Sequence, residues 1–230
     1  MKKIAMTAAI VSSLAMANSA QANSVEGLGV SANYGLFSGP TLELTYPIND
    51  VLQVRGALSS GMNLSETTSD TDIDYDVEAD GGINRLALDY HPFGGTFFLS
   101  AGYAVNNFKL TANGTSATGQ TVEIGDTTYD VTGDVALVGK LDWESGATLS
   151  MGWGHSPAQG WGAMVEIGAI FTGAPDVNLN GTGTVSDGTT TYDVSSELEE
   201  DIKAEEDKIE NDVGDYNFLP ILQAGVTYRF

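Results

Sequence analysis

Trp161-Gly162-Ala163-Met164-Val165-Glu166-Ile167-Gly168-Ala169-Ile170-Phe171 decides the fold class. In an extended chain Trp161, Ala163, Val165, Ile167, Ala169 and Phe171 share one face, and Gly162, Met164, Glu166 and Gly168 share the other. An apolar stripe with an aromatic ring at each end, set against a face of glycines and one carboxylate, fits a strand with lipid on one side and a narrow lumen on the other.

The same period of two recurs in seven further segments. Before it lie Leu28 to Phe37, Thr41 to Pro47, a third segment around Leu52, Val54 and Leu58, a fourth ending in Leu86, Leu88 and Tyr90, and a fifth marked by Phe97, Leu99, Ala101, Tyr103 and Val105. The sixth is clearest over Ala147, Leu149, Met151 and Trp153, with a start as early as Asp134 also compatible. The last runs from Tyr216 to Phe230, with Phe218, Pro220, Leu222, Ala224, Val226, Tyr228 and Phe230 outward. Eight such segments predict an all-β fold: one eight-stranded antiparallel transmembrane β-barrel with long outer loops. A soluble sandwich would also bury such stripes. However, the aromatics gather near strand ends (Tyr34, Phe37, Tyr46, Tyr90, Trp153, Trp161, Phe171, Tyr228, Phe230), as interfacial girdles do.

The connections alternate in length. Ile48 to Asp50, Pro92 to Gly95 and His155 to Gly160 are brief, whereas Glu66 to Asp80, Asn113 to about Asp134, and Thr172 to Asp215 are long. Short inner turns and long outer loops place both termini in the periplasm of an outer-membrane protein. The start agrees. Met1-Lys2-Lys3, a small-apolar run from Ile4 to Ala17 and Ser19-Ala20-Gln21-Ala22 read as a signal peptide, residues 1–22, with residues 23–230 forming the barrel domain. The apolar run, about 14 residues, falls short of the roughly 20 that a spanning helix needs. The chain has no cysteine, so its stability must come from the fold rather than from disulfides.

The formal charge is −22, and becomes −24 once Lys2 and Lys3 are lost with the leader. Such a field excludes nucleic acid as a partner and draws cations. The three long connections and their rims carry most of the 31 acidic residues, so acidity belongs to the outer face. Asp70, Asp72, Asp74, Asp76, Glu78 and Asp80 alternate with other residues, and an extended chain would put all six on one face. They are candidate oxygen ligands for a divalent cation at a lipopolysaccharide surface. The plainer reading is a solvated strand that discourages edge pairing. Ser195 to Val213, with Leu198, Ile202, Ile209 and Val213 at helical spacing after a capping-type serine, predicts a short amphipathic helix in the last loop, lying over the mouth or simply packing the loop.

All three arginines, Arg55, Arg85 and Arg229, fall on inward positions together with Glu43, Asp89 and Glu166. A barrel of about eight strands is just wide enough for side chains to fill it, so three cations should pair with three anions. The set reads either as a salt-bridged plug or as a selectivity element for a small cationic or zwitterionic solute. The two histidines, His91 and His155, fall in the short turns, away from any strand that would aim them at a serine and a carboxylate. With no Cys/His metal cluster and no phosphate-cradling glycine loop, neither catalysis nor a cofactor is expected.

Trp161-Gly162, Glu166-x-Gly168-Ala169, Thr172-Gly173-x-Pro175-x-Val177, the acidic helix ending at Asn211-Asp212, and Tyr216-x-Phe218-x-Pro220 before Gly225-Val226 resemble the CarO-type outer-membrane proteins, over roughly the last 70 residues. That resemblance implies an eight-stranded barrel passing small basic amino acids such as ornithine, and an association with carbapenem susceptibility. Gln223, Gly225, Tyr228 and Phe230 are similar to the C-terminal signal by which the barrel-assembly machinery recognises such chains. Two roles stay open: narrow uptake of small solutes, or a structural or surface-interaction barrel whose acidic loops bind cations, lipopolysaccharide or a partner.

Overall fold

The computed structural model describes residues 27–70, 73–155 and 159–230. The leader predicted over residues 1–22, Asp72 of the acidic ladder and the turn at Ser156-Pro157 lie outside them. Among the described residues fifteen strands run in chain order: β1 (Gly29–Gly35), β2 (Gly39–Pro47), β3 (Leu52–Ser59), β4 (Met62–Asp70), β5 (Ile73–Gly81), β6 (Ile83–Tyr90), β7 (Phe97–Asn106), β8 (Lys109–Ser116), β9 (Thr121–Ile124), β10 (Thr127–Asp142), β11 (Gly146–Trp153), β12 (Gly160–Phe171), β13 (Asp176–Ser186), β14 (Thr191–Asp193) and β15 (Leu219–Arg229). Two helices, α1 (Val194–Glu197) and α2 (Glu199–Val213), separate β14 from β15.

Eight strands close into an antiparallel barrel in the order β1-β15-β12-β11-β7-β6-β3-β2. These are the eight segments with period-two patterning, and their faces point as the alternation requires. Along β2, Thr41, Glu43 and Thr45 are buried while Leu44 and Tyr46 are exposed; along β12, Met164, Glu166 and Ile170 are buried while Trp161, Val165, Ile167 and Phe171 are exposed. Closure leaves the barrel no free strand edge. Ring pairs mark the end that carries the short turns, with Trp161 edge-on to Tyr228 at 5.1 Å, Tyr228 edge-on to Phe230 at 4.8 Å, and Phe97 tilted against Trp153 at 5.4 Å. Phe37 departs from the girdle expectation: it turns inward, edge-on to Phe108 at 5.0 Å.

The long connections are not loops. They fold into a second, seven-stranded sheet, β14-β13-β10-β8-β5-β4, with β9 paired to β10. Several of its strands continue barrel strands across a break of a few residues, as β7 continues into β8 and β12 into β13. The early start considered for the sixth segment belongs to β10, which pairs in this second sheet and stops three residues before β11. Glycines make the bend at the rim. Gly39, Gly61 and Gly81 all take positive φ (65°, 78° and 99°), and a Cβ on each would run into the backbone carbonyl of the next strand, at Gly61, Gly81 and Asn107 respectively.

The outer sheet has its own apolar core of Val122, Ile124, Tyr129, Val131, Val135, Val185, Val194 and Leu198. Of the acidic ladder, Asp74, Asp76, Glu78 and Asp80 lie on β5, between β4 and β8 and so away from the sheet edge, whereas Asp70 ends β4, which is the edge. Asp76, Glu78 and Asp80 are exposed there, opposite Thr67, Ser65 and Asn63 of β4. The predicted helix is broken in two at Leu198, because that side chain turns into the sheet core, and its cap is Asp193 rather than Ser195: Asp193 accepts from the Ser195 backbone N–H at 3.0 Å. Helix α2 packs on β13 and β9, held by Tyr129 donating to Asp201 at 2.6 Å and by Lys208 on the Gly125 carbonyl. Among the described residues no helix is long and apolar enough to cross a membrane.

Candidate functional site: the filled lumen

Inward-facing residues of the barrel form three layers. At the end that meets the outer sheet, Ile83, Ala104, Ile170, Leu219 and Ile221 pack with Phe108, with Phe37, Met62, Leu110 and Trp143 against them. This layer is apolar.

The middle layer is ionic, and the register explains how it fits. Arg55, Glu43 and Arg85 each stand between short side chains on the neighbouring strands, Arg55 between Thr45 and Ala87, Glu43 between Ser31 and Ala57, and Arg85 between Ala57 and Ala104, while Glu166 has Gly152 on one side and its hydrogen-bond partner Gln223 on the other. Arg55 grips Glu166 with both terminal nitrogens, at 2.7 and 2.9 Å, and also reaches Asp89 at 3.1 Å, Ser100 at 3.1 Å and Glu43 at 3.4 Å. Arg85 donates to Glu166 at 3.0 and 3.1 Å and to Glu43 at 3.4 Å. Gln223 ties the two glutamates together from the opposite wall, at 2.9 Å to Glu43 and 2.6 Å to Glu166, and Ser150 adds a bond to Glu166 at 2.5 Å. Glu43, Arg55 and Glu166 are each no more than 2% exposed. Charges this dry persist only because each has several partners.

The third layer closes the turn end. Phe98, fully buried, stacks between His91 (5.9 Å) and His155 (5.6 Å), and the Arg55 guanidinium carbon lies 5.3 Å from the centre of its ring. Arg229 donates to Gln53 at 2.6 Å, to the Gly27 carbonyl at 2.9 Å and to the His155 carbonyl at 3.3 Å.

All six charged residues read as lumen-facing do face inward, and five meet in one cluster. Arg229 does not: among the described residues its partners are Gln53 and two carbonyls, so the simple pairing of three cations with three anions gives way to two guanidiniums serving three carboxylates. The histidines lie in the short connections after β6 and β11, as expected, but the expectation that neither is aimed at a serine and a carboxylate does not hold for His155. Both are buried, and His155 stands between Ser31 Oγ (3.4 Å from Nδ1) and Glu43 Oε2 (3.2 Å from Nε2). The second contact is off hydrogen-bonding angle, and both of its atoms lack another partner. His155 also takes a positive φ of 48°, a strained position for a residue other than glycine. The sequence placed both histidines in the short turns, and nothing in the spacing revealed that their side chains are buried in the lumen. Gln53 and Phe98 were missed as site residues, and Gln223 was read only as part of an assembly signal, although alternation marks Gln53 and Gln223 as inward.

Of the residues similar to an assembly signal, Gln223 is thus a member of the ion cluster. Gly225 leaves no room for a side chain against Asn33, while Tyr228 and Phe230 stack on the outer wall. Among the described residues no group of three or more His, Asp and Glu side chains is placed to hold a metal ion.

Two solved structures share this architecture. Acinetobacter baumannii CarO superposes with a TM-score of 0.59 at 23% identity, over 88% of this chain and 97% of that one. The chain has the CarO fold. A. baumannii CarO2 matches with a TM-score of 0.58 at 22% identity, over 88% and 98% of the two chains. No family model and no curated protein matches the sequence. The likeness to CarO read from the last 70 residues therefore extends, as fold, over nearly the whole chain, and at this identity it carries the architecture rather than the activity.

Proposed function

We propose that this protein is an outer-membrane barrel closed to free diffusion, whose working surface is the acidic sheet it holds beyond the membrane. The single observation carrying this reading is that three layers of inward-facing side chains, one apolar, one ionic and one of aromatic and histidine rings, lie in series along the lumen. The apolar belt on the barrel exterior suits lipid, and carboxylates such as Asp76, Glu78 and Asp80 suit cations, lipopolysaccharide bridged by them, or a basic partner. The test is conductance and flux. The purified protein in planar bilayers should give no steady channel steps, and liposomes carrying it should take up ornithine and glycine no faster than empty ones. Solute flux well above that background would overturn the reading.

A second reading, gated uptake of a small cationic or zwitterionic solute, is favoured by one specific observation. The ion cluster retains unused bonding capacity at Glu43 Oε2, Arg55 Nε and His155 Nε2, which a carboxylate or ammonium group could take up. In that reading Glu43, Arg55, Arg85, Asp89 and Glu166 exchange partners as the solute passes, and flux appears only under conditions that loosen the cluster.

A further inference from the structure

At the turn end, four side chains form a hydrogen-bond relay whose polarity is set at every step. His91 Nδ1 lies 2.8 Å from the Gly95 carbonyl oxygen, which can only accept, so this nitrogen carries the hydrogen. His91 Nε2 lies 3.0 Å from Gln53 Nε2, an amide nitrogen that can only donate, so the ring is neutral and offers a lone pair. The same amide nitrogen reaches Asp89 Oδ2 at 3.4 Å, and the Gln53 oxygen accepts from Arg229 at 2.6 Å. Arg229 then binds the Gly27 and His155 carbonyls, tying the start of β1 and the β11–β12 connection to the end of β15.

We propose that His91 is a proton-operated latch for the turn end of the barrel. A proton on Nε2 would set two donors against each other, the imidazolium and the Gln53 amide. Turning the amide over relieves that clash only by creating two more, its nitrogen against Arg229 and its oxygen against Asp89. Gln53 therefore cannot serve a charged His91 and Arg229 together, and the clamp on Gly27 and His155 is released. Because His155 also borders Glu43, release reaches the ion cluster directly.

The charged and titratable groups facing His91 are Asp89 from β6, which favours the proton, and Arg229 from β15 and His155 from the β11–β12 connection, which oppose it. His91 lies in the turn after β6, where burial above all pushes its imidazole below the ordinary histidine value. The latch is closed near neutrality and opens on acidification. It stands apart from both roles proposed above, since a sealed or a gated barrel would carry it equally.

The chain has three arginines, so the Nε–H region of a nitrogen-edited spectrum of the whole protein in micelles holds three side-chain signals. On acidification the Arg229 signal and the His91 ring should change with one shared midpoint, and exchange at the Arg229 guanidinium should speed up by on the order of tenfold. In His91→Gln the Arg229 transition should vanish, and in His155→Gln it should persist. The proposal is overturned if Arg229 is unmoved while His91 titrates, if the two midpoints differ, if the transition survives in His91→Gln or is lost in His155→Gln, or if His91 takes no proton before the barrel unfolds. The midpoints in the unaltered protein decide the matter even if a variant fails to fold.

Discussion

Arg55 and Glu166, 111 residues apart in sequence, meet across the lumen in a two-pronged ion pair, with both guanidinium nitrogens within 3 Å of the two carboxylate oxygens. One comes from β3 and the other from β12, which are not neighbours in the barrel, so the pair spans the interior rather than running along the wall. A planar fork matches a carboxylate in this way, and lysine could not.

Removing the cation alone should therefore be costly. Arg55→Met leaves Glu43, Asp89 and Glu166 with one guanidinium among them, and a loss of about 3–5 kcal/mol is expected from breaking a buried pair on one side. Arg55→Met combined with Glu166→Leu should recover much of that loss. Urea unfolding of the protein in lipid vesicles, followed by the heat-dependent gel shift of folded barrels, measures both. A double variant less stable than the single would contradict the pairing.

The apolar layer predicts a different result. Ile170→Ala removes a side chain only 1% exposed and should cost about 2–4 kcal/mol, as large-to-small changes in a packed core do. On the proposed sealed-barrel reading it should nevertheless add no conductance, because the ion cluster lies in series below it. Channel steps from this variant alone would mean that the layers do not act in series.

Gly81, at the rim, and Gly94, in the short turn at the other end of the barrel, separate backbone freedom from space. Both have positive φ, 99° and 62°, but a side chain at Gly81 strikes the Asn107 carbonyl, whereas Gly94 has nothing within 4 Å. Gly94→Ala should cost about 1 kcal/mol from conformation alone. Gly81→Ala should in addition force β5 away from its neighbour. Limited proteolysis should then cut the outer sheet of Gly81→Ala while the barrel stays intact, and leave Gly94→Ala as resistant as the parent.

Tyr129 makes the outer sheet sensitive to alkali. Burial, reinforced by its bond to Asp201, raises its phenol to about 12, above the ordinary value of 10. A group whose folded value is raised contributes stability that is complete below the unfolded value and declines as pH climbs through the folded one. The hold of α2 on the sheet should weaken between about pH 10 and 12. Tyr129→Phe should be less stable at pH 8 by about 1 kcal/mol and should show less of this alkaline decline. Hydrogen exchange of α2 amides across that range is the measurement.

How much of this the chain itself announces differs from element to element. Trp161 to Phe171 could be assigned by eye, since a two-residue period with lipid on one side leaves only one arrangement that satisfies both faces. The second sheet was not legible in the same way. Residues 70–80 alternate carboxylates with other side chains and so read as an extended strand, but water tolerates either face of a strand outside a membrane, so the pattern does not reveal which strands it pairs with. The helix was visible from Leu198, Ile202 and Ile209, but its break was not, because it depends on Leu198 finding the core formed by Val185 and Val194.

The same division runs through the site. Alternation alone placed Glu43, Arg55, Arg85, Asp89, Glu166 and Arg229 inside the barrel, because direction in a strand is a local property that the sequence carries residue by residue. Which of them touch is set by height along the bore and by position around it, and these follow from strand order, shear and register. Only the closed tertiary structure decided that Arg55 crosses to Glu166, that Arg229 is left to Gln53, and that His91 and His155, expected in the short turns, are buried around Phe98.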